Sequence, residues 1–294
     1  MIVSFGSLNA DLIFRMERTP VAGQTLLADT LTVEAGGKGA NQAVAALRDG
    51  APTAMVGAVG RDALADVALL NLREGGADLS ALRTIEDAAT GCASILTDRK
   101  GRNQIAVALG ANARVEAASL GEVLPRASVL LLQMEAPVAE VERAVAMAAQ
   151  AGVPAILNLA PAIRISADTL RRLRLLVVNE DEAEQLAAWL GSAPDAEALG
   201  RALGIEVVRT LGGEGSEAWT GGRLVRVPAH RVEAVDTTAA GDCFVGVLAG
   251  ALSRGADMEA AMRRAGTAAA LACTRAGSQG SLPLAAETDA ALKG

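Results

Sequence analysis

Tyrosine is absent from this sequence, and three phenylalanines and two tryptophans hold the aromatic share to 2%. A core without large rings must be built from Ala, Val and Leu packed between closely approaching backbones. Lysine is almost missing as well: Lys38, Lys100 and Lys293 are the only three, and every other basic residue is Arg. Lys38 alone lies inside a glycine cluster, which singles it out. No basic run occurs and the net charge is −7, so the electrostatic footprint of a nucleic-acid binder is excluded. Small anions held locally by backbone amides and one or two cations are still allowed. Cys92, Cys243 and Cys273 are an odd set with no C-x-x-C spacing, which excludes a disulfide framework or a zinc site and leaves small buried hydrophobes. The longest apolar stretch, Cys243 to Leu252, is about half of what a bilayer requires. Met1–Gly6 reads directly as a strand with no basic segment ahead of it, so a soluble, cytoplasmic protein without a leader is expected.

Across its 294 residues the chain is 51% hydrophobic and 21% charged, enough for a sizeable core. Short apolar runs alternate with segments of helical period, the pattern of an α/β fold with a mostly parallel sheet between helices. Ile2–Phe5, Thr53–Val59, Val129–Leu132, Ala155–Leu157, Leu175–Val178 and Val207–Thr210 read as doubly buried strands. Helices are expected over Asp62–Glu74, with Asp62 as its cap, and over Pro137–Gln150. Residues 10–34 and 82–108 break this rhythm with alternating shorter strands, including a hairpin, Cys92–Asp98 and Asn103–Val107, around Arg99–Arg102. They predict a small β-sheet layered on the main domain, either a lid that excludes water or a plain extension of the sheet.

Three glycine-rich segments bear on chemistry. Gly36-Gly-Lys-Gly-Ala-Asn-Gln42 runs into a helix expected over Ala43–Arg48, so a ligand can meet bare backbone and the helix N-terminus, with Lys38 and Asn41 beside it. A tight strand-to-helix turn with a surface lysine is the other reading; the spacing is not that of a Walker A loop. Gly213–Ala218 fits G-x-G-x-x-A formally. A hairpin, Trp219–Val227 with Gly221-Gly222 at its turn, follows instead of a helix, which excludes a dinucleotide fingerprint and a nicotinamide oxidoreductase. Asp236-Thr-Thr-Ala-Ala-Gly-Asp242 precedes an almost wholly apolar, hence buried, helix. The amides of Ala239, Ala240 and Gly241 are unobstructed and suit an anion hole, and Asp242 on the first turn is placed to accept a proton. Asp242 as a mere helix cap is the competing reading.

Together the GGKGANQA and DTTAAGD segments resemble the paired signatures of the ribokinase-like (PfkB) carbohydrate kinase family, and the likeness runs from Gly6-Ser-Leu-Asn-Ala-Asp11 to Thr274-Arg-Ala-Gly-Ser-Gln279. The stretches Gly110-Ala-Asn-Ala113, Gln133-Met-Glu-Ala-Pro137 and Asn158-Leu-Ala-Pro-Ala162 are similar to its ribose-phosphorylating members. The resemblance implies one three-layer αβα kinase domain over 1–294 with a discontinuous β lid, ATP as donor and D-ribose as acceptor, or another sugar or a nucleoside. It implies a sugar site at Asn9, Asp11, Gly37, Lys38, Asn41 and Glu135, with Asp242 as base. ATP is implied at Asn179, Thr210, Gly212 and the Ala239–Gly241 amides, and Mg²⁺ through water at Glu182. A potassium site is implied at Asp236, Thr238, Ala272, Arg275, Gly277 and Ser281, and a homodimer through the lids. Two positions depart from the pattern: Gly266 stands where Asn or His is usual near adenine, and Leu159 replaces a common proline. Retention of Asp242 and both glycine motifs argues against a non-catalytic sensor. His230, in an expected strand with no partner pattern, is read as structural.

Overall fold

The computed structural model describes residues 1–100 and 102–293. Gly101, inside the expected hairpin turn, and Gly294, at the end of the expected domain, lie outside the described residues. In chain order the elements begin with β1 (Ile2–Phe5), β2 (Asn9–Met16), β3 (Thr30–Gly36), α1 (Lys38–Arg48), β4 (Thr53–Val56), β5 (Ala58–Gly60) and α2 (Ala63–Glu74). Then come β6 (Arg83–Ile85), β7 (Gly91–Asp98), β8 (Asn103–Ala108), β9 (Val129–Leu132), α3 (Val138–Ala151), β10 (Ala155–Asn158) and α4 (Ala167–Leu170). The last third holds β11 (Leu175–Val178), α5 (Glu180–Leu190), α6 (Ala196–Leu203), β12 (Glu206–Thr210), β13 (Ser216–Thr220), β14 (Arg223–Val227), α7 (Ala240–Ser253), α8 (Met258–Cys273) and α9 (Ala285–Ala291).

Eight strands form the main sheet in the order β14-β13-β12-β11-β10-β9-β1-β4, parallel from β12 to β4, with β13 and β14 added antiparallel. β1, β4, β9, β10 and β11 are buried along their whole length, because helices cover both faces. Alternate side chains feed two separate cores. Val3, Leu130 and Leu176 pack with α3, α5 and α6 on one side. Ile2, Leu131 and Leu175 pack with α1, α2, α7 and α8 on the other. The result is the expected three-layer α/β architecture.

A four-stranded sheet, β3-β2-β7-β8, stands apart from it as the lid. Its register puts Asp11, Glu34, Ala93 and Val107 in one cross-strand row, hence on one face.

Several boundaries differ from the sequence reading. Thr53–Val59 is two strands, since at Gly57 the backbone passes against Leu8 and the Gly6 carbonyl with no room for a side chain. Residues 83–85 pair with β5 in a two-stranded ladder of their own and do not join the lid. α1 starts at Lys38, five residues before the expected Ala43, so Lys38 and Asn41 are helical. Pro137 is the residue flanking α3, not part of its first turn. The segment 228–234 carrying His230 forms no strand. Asp62 caps α2 as expected, accepting from the Ala65 amide at 3.1 Å.

Candidate active site

Two helix N-termini meet beside the C-terminal ends of the parallel strands, where open α/β sheets bind ligands. β3 ends at Gly36, and Gly37, with φ 87°, turns the chain into α1. A side chain at Gly37 would come within 2.8 Å of the Asn9 amide nitrogen, so only glycine lets α1 lie this close to the 7–9 segment. The Ala40 amide then donates to the Ser7 carbonyl at 2.9 Å. At the other helix, Ala239 takes a left-handed φ of 57°, the one non-glycine residue with positive φ among those described, and α7 begins at Ala240.

Asp242 lies on the first turn of α7 and is 7% exposed. Its Oδ2 accepts from Asn41 Nδ2 and its Oδ1 from Gln42 Nε2, each at 2.9 Å. Helix capping is therefore not what holds this carboxylate; both of its oxygens face α1. Of the three amides expected to form the anion hole, Ala240 N–H is directed to the Thr237 carbonyl at 3.2 Å. At Gly241 no atom stands within 4 Å of where a side chain would begin, so this end of α7 opens onto free space.

That space is a cleft of about 160 Å³ lined by Lys38, Asn158, Asn179, Glu182, Thr210, Ala239, Gly241 and Asp242, among others. The Lys38 ammonium is held charged chiefly by Asp242, against the opposing effect of burial, with help from Glu135 and Glu182. Asn179 and Glu182 form a reciprocal capping box at the start of α5: Glu182 N–H donates to Asn179 Oδ1 and Asn179 N–H to Glu182 Oε2, both at 2.8 Å. Burial pushes the Glu182 carboxyl up, opposed by the Asn179 hydrogen bond and Lys38. Thr210 reaches this cleft from the end of β12, whereas Gly212, in the following 212–214 turn, does not line it. A larger depression of about 450 Å³ sits at the opposite ends of the strands. Its arginines are already paired, Arg171 with Asp168, Arg174 with Glu206 and Arg201 with Glu197.

The residues expected to hold the sugar gather where the lid joins this cleft. Asn9 and Asp11, at the start of β2, are 4% and 8% exposed. Asn112 donates to Asn9 Oδ1 at 2.8 Å, which leaves the Asn9 Nδ2 group as a free donor. Asp11 Oδ1 is buried without any hydrogen-bond partner. Burial, then Glu135, Glu34 and Asp242, push the Asp11 carboxyl up to about 7, and Lys38 opposes them. Glu135 Oε2 accepts from Ser7 Oγ at 2.6 Å and from the Lys38 amide at 3.1 Å.

The residues expected around potassium form a second cluster behind α7. Asp236 Oδ1 accepts from the Thr238 amide (2.9 Å) and hydroxyl (2.6 Å), and its Oδ2 from the Gly277 amide at 3.1 Å. Burial would raise the Asp236 carboxyl, but these bonds hold it below the usual range. The Ala272 carbonyl accepts from the Arg275 amide at 3.2 Å, the Arg275 side chain turns away to Glu287, and the Ser281 hydroxyl donates to the Ser278 carbonyl at 2.8 Å. Among the described residues no group of three or more His, Cys, Asp or Glu side chains is arranged to hold a metal ion. Cys243 is buried and its thiol is pushed far up by that burial, so it is an inert hydrophobe.

The sequence reading gave no role to Gln42, Asn112, Gln133 or Asn158, all of them buried. A signal existed for two of them: Gln133 directly follows β9 and Asn158 ends β10, both doubly buried strands, where an amide must find a partner.

Set beside known proteins, the chain matches the family model described as "pfkB family carbohydrate kinase" over residues 1–285. It is 36% identical to ribokinase from Bacillus subtilis (strain 168), covering 99% of both chains. It is 33% identical to deoxyribokinase from Salmonella typhi, covering 96% of this chain and 95% of that one. Its structure superimposes on that of Arabidopsis thaliana ribokinase complexed with ribose and ATP with a TM-score of 0.90, at 31% identity over 100% of this chain and 98% of the other.

Proposed function

We propose that this chain, which belongs to the pfkB family of carbohydrate kinases, transfers the γ-phosphoryl group of ATP to the 5-hydroxyl of D-ribose. The observation that carries the reading is Asp242: a buried carboxylate at the open N-terminus of α7, lining one cleft with Lys38, Asn179, Glu182 and Thr210.

In this reading the sugar hydroxyl faces Asp242 and the triphosphate lies along Asn179, Thr210 and Gly212. The hydroxyl oxygen forms a bond to the γ-phosphorus as the bond to the β–γ bridging oxygen breaks, and that electron pair leaves with ADP. The hydroxyl proton passes to Asp242. Charge on the moving phosphoryl group meets the α7 N-terminus at Ala239–Gly241 and the Lys38 ammonium. Asn9 and Asp11 grip neighbouring sugar hydroxyls; the free Asn9 amide donor and the unpartnered Asp11 carboxylate oxygen support that role. Gly37, Asn41 and Glu135 complete that pocket.

Glu182, which lines the cleft, would hold, through water, the Mg²⁺ that accompanies ATP. The metal neutralises triphosphate charge. Asp236, Thr238, Gly277 and the 272, 275 and 281 positions would hold potassium, which would stiffen the loop that ends at Ala239. The lid of β2, β3, β7 and β8 covers the sugar, and all described elements work as one kinase domain. Exposed Leu31, Val33, Ile105 and Val107 on the lid favour pairing of two lids in a homodimer. Among the described residues no helix is long and apolar enough to cross a membrane, and a cytoplasmic location fits the use of ATP.

Deoxyribose is the second acceptor to weigh, given the deoxyribokinase relative. The test is ADP release from MgATP across pentoses, hexoses and nucleosides, in K⁺ and again in Na⁺. Selective turnover of D-ribose, faster in K⁺, is expected. Preference for deoxyribose moves the acceptor, equal rates in both salts remove the potassium site, and silence across the panel overturns the kinase reading.

A further inference from the structure

Gln42 lies next to Asn41 on α1, is fully buried, and has almost its entire amide committed. Its Nε2 donates to Asp242 Oδ1 at 2.9 Å and to Asn158 Oδ1 at 3.0 Å. Its Oε1 accepts from Gln133 Nε2 at 2.8 Å. The orientation is forced. A carboxylate only accepts, so the nitrogen of Gln42 has to face Asp242, and its oxygen is then free only for a donor. Gln133, also fully buried, supplies that donor, and its own Oε1 is left without a partner. Asn158 is oriented in turn by donating to the Val177 carbonyl at 3.3 Å. Leaving a buried amide oxygen unpaired is unfavourable, so Gln133 sits where it does against a local cost.

We infer that Gln42, locked by Gln133, is a positioning residue for the Asp242 carboxylate. With Asn41 on the other oxygen, the two amides clamp the carboxylate plane and leave its remaining lone pairs at fixed angles toward the cleft. A base rotated or shifted from that plane meets the attacking hydroxyl poorly, and the loss falls on the chemical step because Gln42 does not line the substrate cleft.

The inference rests on Asp242 being the base, so Asp242→Asn is measured beside the test variants. Gln42→Met keeps length and volume but removes every hydrogen bond. The expected result is a kcat on the order of 100-fold lower with KM for sugar and ATP within about threefold of wild type. Gln133→Met is expected to lower kcat less, and Gln42→Met/Gln133→Met no further than Gln42→Met alone, because the second amide acts through the first. Melting curves with and without ATP establish that each variant is folded and binds nucleotide. If Gln42→Met misfolds, Gln133→Met carries the test alone, and a wild-type kcat there overturns the inference. Wild-type kcat in folded Gln42→Met, a raised KM with unchanged kcat, or fully additive losses overturn it as well. An active Asp242→Asn sinks the base reading instead, which keeps the two failures apart.

Discussion

Asp11 sets the pH behaviour of the empty site. Burial and the neighbouring Glu135 and Glu34 carboxylates push it up to about 7, and one of its oxygens has no partner. Its folded value lies above its unfolded one. The stability it contributes is therefore complete below about 4 and is lost as pH rises through about 7. Asp11→Asn should stabilise the ligand-free protein most at pH 8, by an amount on the order of 4 kcal/mol, with less than half of that difference left at pH 5. Thermal melts at the two pH values read this directly. Binding runs the other way: if the carboxylate accepts from sugar hydroxyls, sugar KM should rise severalfold between pH 8 and pH 6 while ATP KM stays flat. The same substitution should raise sugar KM at every pH. A variant that is more stable yet binds sugar normally would remove Asp11 from the site.

The pairing of α1 with α7 is the structural step that creates the site. Gly246, one turn after Asp242, faces the Gln42 carbonyl and Ala45, and any side chain there would run into both. That close approach is what lets Asn41 and Gln42 reach the two oxygens of Asp242. Gly246→Ala must push the helices apart, a strain of about 1–3 kcal/mol. Denaturant unfolding should show that loss, and kcat should fall with it because the clamp on Asp242 opens. An unchanged kcat in the destabilised variant would show that the clamp tolerates movement.

On the scale of the whole molecule, the lid and Asp242 are joined through the C-terminal turn. Glu34 on lid strand β3 accepts from the Ser278 amide at 3.2 Å, and Gln279 donates to Asn41 Oδ1 at 3.0 Å, next to the Asn41–Asp242 bond. The apolar residues on the lid are split between its faces. Leu31 pairs with Phe14 in one row, and Ile105 with Ile95 and Ile13 in another. Leu31 thus points away from the row that carries Asp11. If lids pair across that outer face, Leu31→Lys should halve the mass measured by light scattering at micromolar protein. A wild-type protein that is already monomeric would remove the dimer from the proposal.

The sequence by itself determined the layers, six buried strands of the main sheet and the two glycine segments. Short unbroken apolar runs and helices with period 3.6 are local patterns, and local chemistry fixes them. DTTAAGD was legible as a buried helix start because Cys243–Leu252 is apolar all round. What only the tertiary structure decided is which polar groups face one another. Gln133, 91 residues from Gln42, and Asn41, 201 residues from Asp242, carry no mark of their partners in the chain. Hydrogen bonds between buried side chains form only after both strands and helices have been brought to their places, so a pairing at that range is written in the packing and not in any segment.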